Sequence, residues 1–228
     1  MRTLAIGSRG ADVMFLQVLL NRNGAAPWVE EDGVFGRATQ AALVAYQRAW
    51  RIAPADGVAG PTTYASFGAM RERHHRVTPF AQPDNVTCWS AAATIILGNR
   101  SVASGRAQTA TEGGLETPID NVEAFLDGLG WRMVNSTTTP SAASLINALQ
   151  RGPLWVVFLG TENFAHGVVF SGYYSNPAGD NDCTVFCIQD PWPPRRGAAY
   201  ATTYHAGQAW LRNGVHKRPA GIQYAAQP

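Results

Sequence analysis

The chain has 228 residues, one large domain or two small ones at roughly 150 residues per domain. Lys and Arg total 18 against 16 Asp and Glu, and the net charge of +2 excludes nucleic-acid binding driven by charge alone. Hydrophobic content of 46%, with 7 Trp, 9 Phe and 7 Tyr, excludes a disordered chain, and the longest dense apolar run, Leu154 to Leu159, falls far short of the roughly 20 residues that span a bilayer.

The first segment reads as helical. Val13, Leu16, Gln17 and Leu20 follow i, i+3, i+4, i+7 spacing, bracketed by Asp12 and Gly24 as start and stop signals. Ala38, Ala41, Ala42, Ala45 and Tyr46 repeat the pattern in a second helix. Between them, Asp32-Gly33-Val34-Phe35-Gly36 reads as a tight turn with two glycines free to take positive φ. A related turn, Asp56-Gly57-Val58-Ala59-Gly60-Pro61, recurs 24 residues later and predicts an internal repeat.

Gly7, Gly10, Asp12, Val13, Leu16, Gln17 and Leu20, then Asp32 to Gly36, Thr39, Ala42, Tyr46-Gln47, Asp56-Gly57, Gly60-Pro61 and Thr63 stand in an order that resembles the small helical peptidoglycan-binding domain of bacterial cell-wall hydrolases. The resemblance covers residues 4 to 67. It implies a three-helix module that holds the protein against murein. We place this domain at residues 1–70.

Residues 71–78 are charged, lack an apolar period and precede Pro79, so they read as a linker in which His74 and His75 are solvated. The second domain, 79–228, has helices first and strands later. Helices are predicted over Cys88 to Gly98, from Thr117-Pro118 to about Gly128, and from Thr139-Pro140 to Gly152-Pro153. Strands are predicted at Leu154 to Leu159, His166 to Tyr174 and Thr184 to Gln189, with a turn at Asn176 to Asn181. The whole is an α+β pattern with an antiparallel sheet.

Three cysteines cannot all pair within one chain, and Cys183 and Cys187, four strand residues apart, would be separated by roughly 13 Å, too far for a disulfide. No pair has zinc-ligand spacing, so no metal and no cofactor is expected. Cys183 and Cys187 read as small buried hydrophobes. Cys88, at a predicted helix N-terminus, has the N–H groups and positive partial charge that favour a thiolate. Such a nucleophile needs an imidazole, and the imidazole needs an acceptor to fix its tautomer. His166 opens its strand in Ala165-His166-Gly167, where Gly167 permits close approach of another element. Asp190 closes the next strand, so a hairpin brings the two side by side. Asp190 is also a residue type that caps a turn such as Pro191-Trp192. Gln82, six residues before Cys88, can aim an amide donor at an oxyanion beside the Cys88 N–H. His205 and His216 follow Asp190 and read as structural or solvated.

The order Gln82, Cys88-Trp89, His166-Gly167, Asp190-Pro191 resembles papain-like cysteine peptidases, and most of all the compact bacterial branch of effector proteases and bacteriocin-leader peptidases. The resemblance spans residues 79 to about 212. It implies a papain-like domain with catalytic Cys88, His166, Asp190 and Gln82, with Trp89 at the substrate. Asp190 stands where plant papain uses Asn.

Together the two resemblances imply a thiol hydrolase directed to the cell wall, cleaving amide bonds in peptidoglycan stem peptides or crosslinks. Peptidoglycan is the expected partner, with no nucleic acid and no membrane insertion. The opening Met1-Arg2-Thr3-Leu4-Ala5-Ile6 lacks the apolar stretch of roughly seven residues that a signal peptide needs. Delivery to the periplasm or cell wall by another route is therefore expected, as for an antibacterial effector with a cognate immunity protein. The alternatives are a papain-like protease acting on proteins, a non-catalytic peptidoglycan-binding protein, and an acyltransferase of the transglutaminase type.

Overall fold

A computed structural model of the chain describes residues 1–98, 110–111, 114–115, 119–135, 140–160, 165–204 and 219–226. His205 and His216 lie outside the described residues. Three helices build the first module: α1 (Ala11–Arg22), α2 (Arg37–Ala49) and α3 (Pro61–Ser66). One face of α1, with Val13, Leu16 and Leu20, packs against Leu43 and Tyr46 of α2 and Tyr64 of α3.

The 24-residue repeat is a repeat of hydrogen bonds. A buried glutamine latches each turn. Gln17 accepts from the Gly33 N–H (2.9 Å) and its amide donates to Thr39 Oγ1 (3.1 Å) and Val34 O (3.2 Å). Gln47 accepts from the Gly57 N–H (2.9 Å) and donates to Thr63 Oγ1 (3.1 Å) and Val58 O (3.0 Å). Within each turn an aspartate, Asp32 or Asp56, accepts from the N–H two residues on, at 2.8 and 2.9 Å. Gly33 and Gly57 take φ of 71° and 73°, as such a turn requires. Gly36 differs from expectation. Its φ is −93°, because it stands as the extended residue before α2 rather than inside the turn.

Replacing Gln17 by Ala leaves the buried Gly33 N–H without its acceptor and takes a donor from Val34 O and from the Thr39 hydroxyl, which still donates to Val34 O. We expect a loss of about 2–4 kcal/mol, since each abandoned buried group costs about 1–3 kcal/mol. Urea titration of the Gln17→Ala chain checks this; an unchanged midpoint would mean that water replaces the latch.

Among the described residues that follow, the main feature is a seven-stranded antiparallel sheet with helices on both faces. Its elements are β1 (Arg71–His74), α4 (Cys88–Leu97), a small hairpin of β2 (Ala110–Thr111) and β3 (Gly114–Leu115), α5 (Ile119–Gly128), β4 (Arg132–Asn135), α6 (Ala142–Leu149), β5 (Leu154–Gly160), β6 (Ala165–Ser175), β7 (Thr184–Asp190), β8 (Ala198–Thr203) and β9 (Pro219–Ala226). The strand order is β4-β9-β5-β6-β7-β8, with β1 also on β6. Strand β5 is apolar throughout because both of its faces are covered. Leu154, Val156 and Phe158 join a core with Leu145, Ile146 and Leu149 of α6. Trp155 and Val157 join the opposite core, with Trp89, Ala92 and Ile95 of α4 and Phe125 of α5.

Residues 71–74 are a correction to the linker expected over 71–78. They form β1, with Arg71 to His74 paired antiparallel against Ser175 to Gly172 of the long strand β6. On β6, strand β5 covers only Ala165 to Phe170, so the second half of β6 has an open edge that β1 fills. A charged edge strand lacks the apolar alternation by which strands are read. The His75 imidazole contacts the Leu149 carbonyl at 2.6 Å and His74 Nδ1 lies 3.8 Å from Cys187 Sγ, so neither histidine is merely solvated.

Candidate active site

The site is assembled where the start of α4 meets the start of β6 and the end of β7. The turn before α4 is held by Asp84. One carboxylate oxygen accepts from the N–H groups of Val86 and Thr87, both at 3.0 Å, and from the Thr87 hydroxyl at 2.8 Å. Burial works against the Asp84 charge, but these donors outweigh it and hold the carboxyl below its usual range. Helix α4 follows at once, and Cys88 is its first residue. The Cys88 side chain therefore stands at the positive end of the helix dipole.

Beneath it, β6 comes close enough that only glycine fits at position 167. A Cβ there would lie 2.9 Å from Trp89 Cα and 3.1 Å from Trp89 N. The Gly167 N–H points at Cys88 Sγ, 3.4 Å away. The neighbouring residue on β6 is His166, buried and hydrogen-bonded to the Cys88 thiol.

Strand β7 pairs antiparallel with β6, Val169 opposite Gln189, and so carries Asp190 to the His166 end. His166 Nε2 donates to Asp190 Oδ1 at 2.8 Å. The same carboxylate oxygen accepts from the Trp192 N–H at 2.8 Å, so Asp190 both caps the turn and holds the histidine. Its second oxygen accepts from the Tyr200 hydroxyl at 3.2 Å. Tyr200 is on β8, opposite Ile188 of β7. Burial and the nearby Asp190 raise its pKa, keeping the hydroxyl a donor across the neutral range.

Burial opposes the charged form of His166, but the hydrogen bonds to Asp190 and to Cys88 prevail and raise its pKa from 6.5 to about 9. The ring is thus an imidazolium at neutral pH, placed between a sulfur and a carboxylate. Such a row can store a thiolate and deliver a proton.

Gln82 is fully buried on the loop that precedes Asp84. Its backbone joins this loop to the one after β7, donating to Pro191 O (3.0 Å) and accepting from Arg195 N–H (2.8 Å). Its side-chain amide donates to Asp84 O at 2.5 Å, which uses one of its two amide hydrogens. The Gln82 Oε1 atom is buried without a hydrogen-bond partner among the described residues.

Trp89, expected at the substrate, is 3% exposed and packs edge-to-face on Phe125 with ring centroids 4.8 Å apart. Its carbonyl accepts from the Trp155 indole N–H (2.9 Å). One residue after Cys88 on a helix is a turn of 100°, enough to point Trp89 into the core.

Of the other cysteines, Cys183 packs in a core with Met14 and Val185, whereas Cys187 is half-buried and burial pushes its thiol up to about 12. Among the described residues no group of three His, Cys, Asp or Glu could hold a metal ion, and no helix is long and apolar enough to cross a membrane.

Sequence reasoning did not assign Asp84 or Tyr200. Asp84 had a legible signal, since an Asp four residues before a helix start can accept from the N–H groups two and three residues on and form a turn. Tyr200 had none, because its contact depends on how β8 pairs with β7.

The family model described as "Putative peptidoglycan binding domain" matches residues 9–66. The N-terminal segment is thus a peptidoglycan-binding module, which associates the chain with the cell wall. Among solved structures, the SleB N-terminal domain is 36% identical over 29% of this chain and 88% of that one, with a TM-score of 0.27. The endolysin of Burkholderia AP3 phage is 41% identical over 33% of this chain and 28% of that one, also with a TM-score of 0.27. No curated protein matches the chain.

Proposed function

We propose that the chain is a papain-like thiol hydrolase that cleaves amide bonds in the peptide part of murein. The observation that carries this reading is the buried row Cys88–His166–Asp190 at the start of a helix, in a chain that also bears a peptidoglycan-binding module.

In this mechanism the Cys88 thiolate attacks an amide carbonyl. The tetrahedral oxyanion is held by the Cys88 N–H and by the second amide hydrogen of Gln82. His166 gives its proton to the departing amine, leaving a thioester on Cys88. It then takes a proton from water, which hydrolyses the thioester and restores the pair. Asp190 keeps Nε2 of the ring occupied, and Tyr200 and the Trp192 N–H keep Asp190 in place. An effector of this kind would need, in the cell that makes it, a partner that blocks Cys88.

Mass spectrometry of digested sacculi tests the reading by naming the bond. New amine and carboxyl ends within stem peptides or crosslinks are expected. Intact murein alongside degraded casein would move the substrate to protein, and amine incorporation without hydrolysis would make the enzyme an acyltransferase.

The pH dependence follows from His166. Activity should be bell-shaped, with the basic limb near the pKa of about 9 and both limbs belonging to the coupled pair. Asp190→Asn removes the charge that favours the imidazolium. The basic limb should move to lower pH and the rate should fall by about 10- to 100-fold. An unchanged profile would reduce Asp190 to a turn residue. Stability carries the same sign. Because the folded pKa is raised above 6.5, the contribution of the ion pair is complete below 6.5 and is lost as pH rises through about 9.

A further inference from the structure

Helix α1 is buried on two faces. Val13, Leu16 and Leu20 belong to the core of the peptidoglycan-binding module. Met14, Phe15, Val18 and Leu19 belong to a different core, shared with Cys183, Val185, Tyr174 and Ala201 of the large sheet and the turn before β7. The Phe15 and Tyr174 rings stack at 5.8 Å with 24° between planes. Beyond this apolar contact, Arg22 reaches Asp182 at 3.2 Å. The chain between the units has no slack. Helix α3 ends at Ser66 and β1 begins at Arg71 inside the sheet, and both Phe67 and Met70 of the connection pack against the two cores.

The sheet provides this seat through a bulge. The register of β6 against β7 shifts between Phe170 and Gly172. Before the shift, Val169 faces α4 while Val168 and Phe170 face α6. After it, Tyr173 faces the α6 side and Tyr174 faces α1. The extra residue flips the alternation and leaves α4 and α1 on the same face of one strand.

We infer that the peptidoglycan-binding module is a fixed wall of the catalytic unit, docked through Met14, Phe15, Val18 and Leu19 of α1, and not a tethered anchor. The consequence for murein rests on the function proposed above. A docked module holds the glycopeptide at a set distance and direction from Cys88, so the enzyme cuts at a set reach from where it binds. A tether would only raise local concentration and would permit cuts over a range of positions.

Hydrogen exchange on the unaltered full chain decides the docking. The amides of α1 and of β7 should open together, with equal protection, in one cooperative event. Exchange of α1 that is independent of β7, or two separate thermal transitions for wild type, overturns the inference. The full-length Phe15→Ser/Val18→Ser chain then tests the consequence. It should split the transition in two, keep turnover of a small soluble amide within about twofold, and lower hydrolysis of sacculi by about tenfold, the loss of effective concentration that undocking implies. Its muropeptide products should also become more varied. A product set and rate on sacculi identical to wild type would overturn the set reach. If wild type cuts the soluble amide but not sacculi, the murein reading fails while the exchange result still decides the docking.

Discussion

Replacing Cys88 by Ala should abolish hydrolysis and leave the protein folded. Removal of a nucleophile that acts in a unit with its base costs about 10⁴- to 10⁶-fold in rate. The stability cost is small by comparison. Cys88 is the first residue of α4, where alanine is at home, and the sulfur contacts to Gly167 N–H and His166 are lost. We expect a change of about 1 kcal/mol or less. The measurement is turnover of a soluble amide beside thermal unfolding of the same sample. Residual turnover within tenfold of wild type would end the assignment of Cys88. Cys183→Ala is the matched control. That residue packs in the core under α1, so its loss should lower stability by about 1 kcal/mol and leave turnover unchanged.

Gly167→Ala should be nearly as damaging by a different route. The new methyl would be 2.9 Å from Trp89 Cα, 3.1 Å from Trp89 N and 3.3 Å from Cys88 C. All three are backbone atoms of a helix start, so no flexible side chain can yield. Either α4 lifts from the sheet or β6 bends away. Overpacking of this kind costs about 1–3 kcal/mol. The same displacement separates Cys88 on the helix from His166 on the strand, and a misplacement of about 1 Å between reacting groups costs on the order of 10²-fold in rate. Activity should therefore fall far more than the fraction of folded protein. The melting temperature and the rate at a temperature well below it, measured together, separate the two effects. A variant that is destabilised but fully active when folded would mean that the helix and strand need not touch for Cys88 and His166 to meet.

Much of the architecture was legible along the chain. Helices near 11–22, 37–49 and 88–97 are present because their apolar periods and terminal glycines act locally, through side chains three and four residues apart and through backbone that only glycine tolerates. Strands β5, β6 and β7 were legible because strands covered on both faces read as unbroken apolar runs. The meeting of His166 with Asp190 was legible for a simple reason: a turn at Asn176 to Asn181 leaves one strand's start beside the other's end. Strands β1, β4, β8 and β9 were not. They lie toward the edges of the sheet or pair across long separations, and their residues Arg71 to His74 or Ala198 to Thr203 carry no alternation that sets them apart from loop.

The sequence by itself determined the N-terminal peptidoglycan-binding module, the residue types that could form a nucleophilic row, and the glycine that lets a helix and a strand touch. These are properties of short segments, decided by steric freedom, charge and hydrogen-bonding groups within a few residues. Only the tertiary structure decided which side chains share an environment. It turned Trp89 inward, a rotation of 100° from the nucleophile. It gave Asp190 a third partner in Tyr200 from a strand that shows no signal of its own. It also used the second face of α1, where Met14, Phe15, Val18 and Leu19 stand beside residues already claimed by the module's core. What covers that far face depends on a bulge in β6, distant in sequence, that shifts one strand's alternation by a single position.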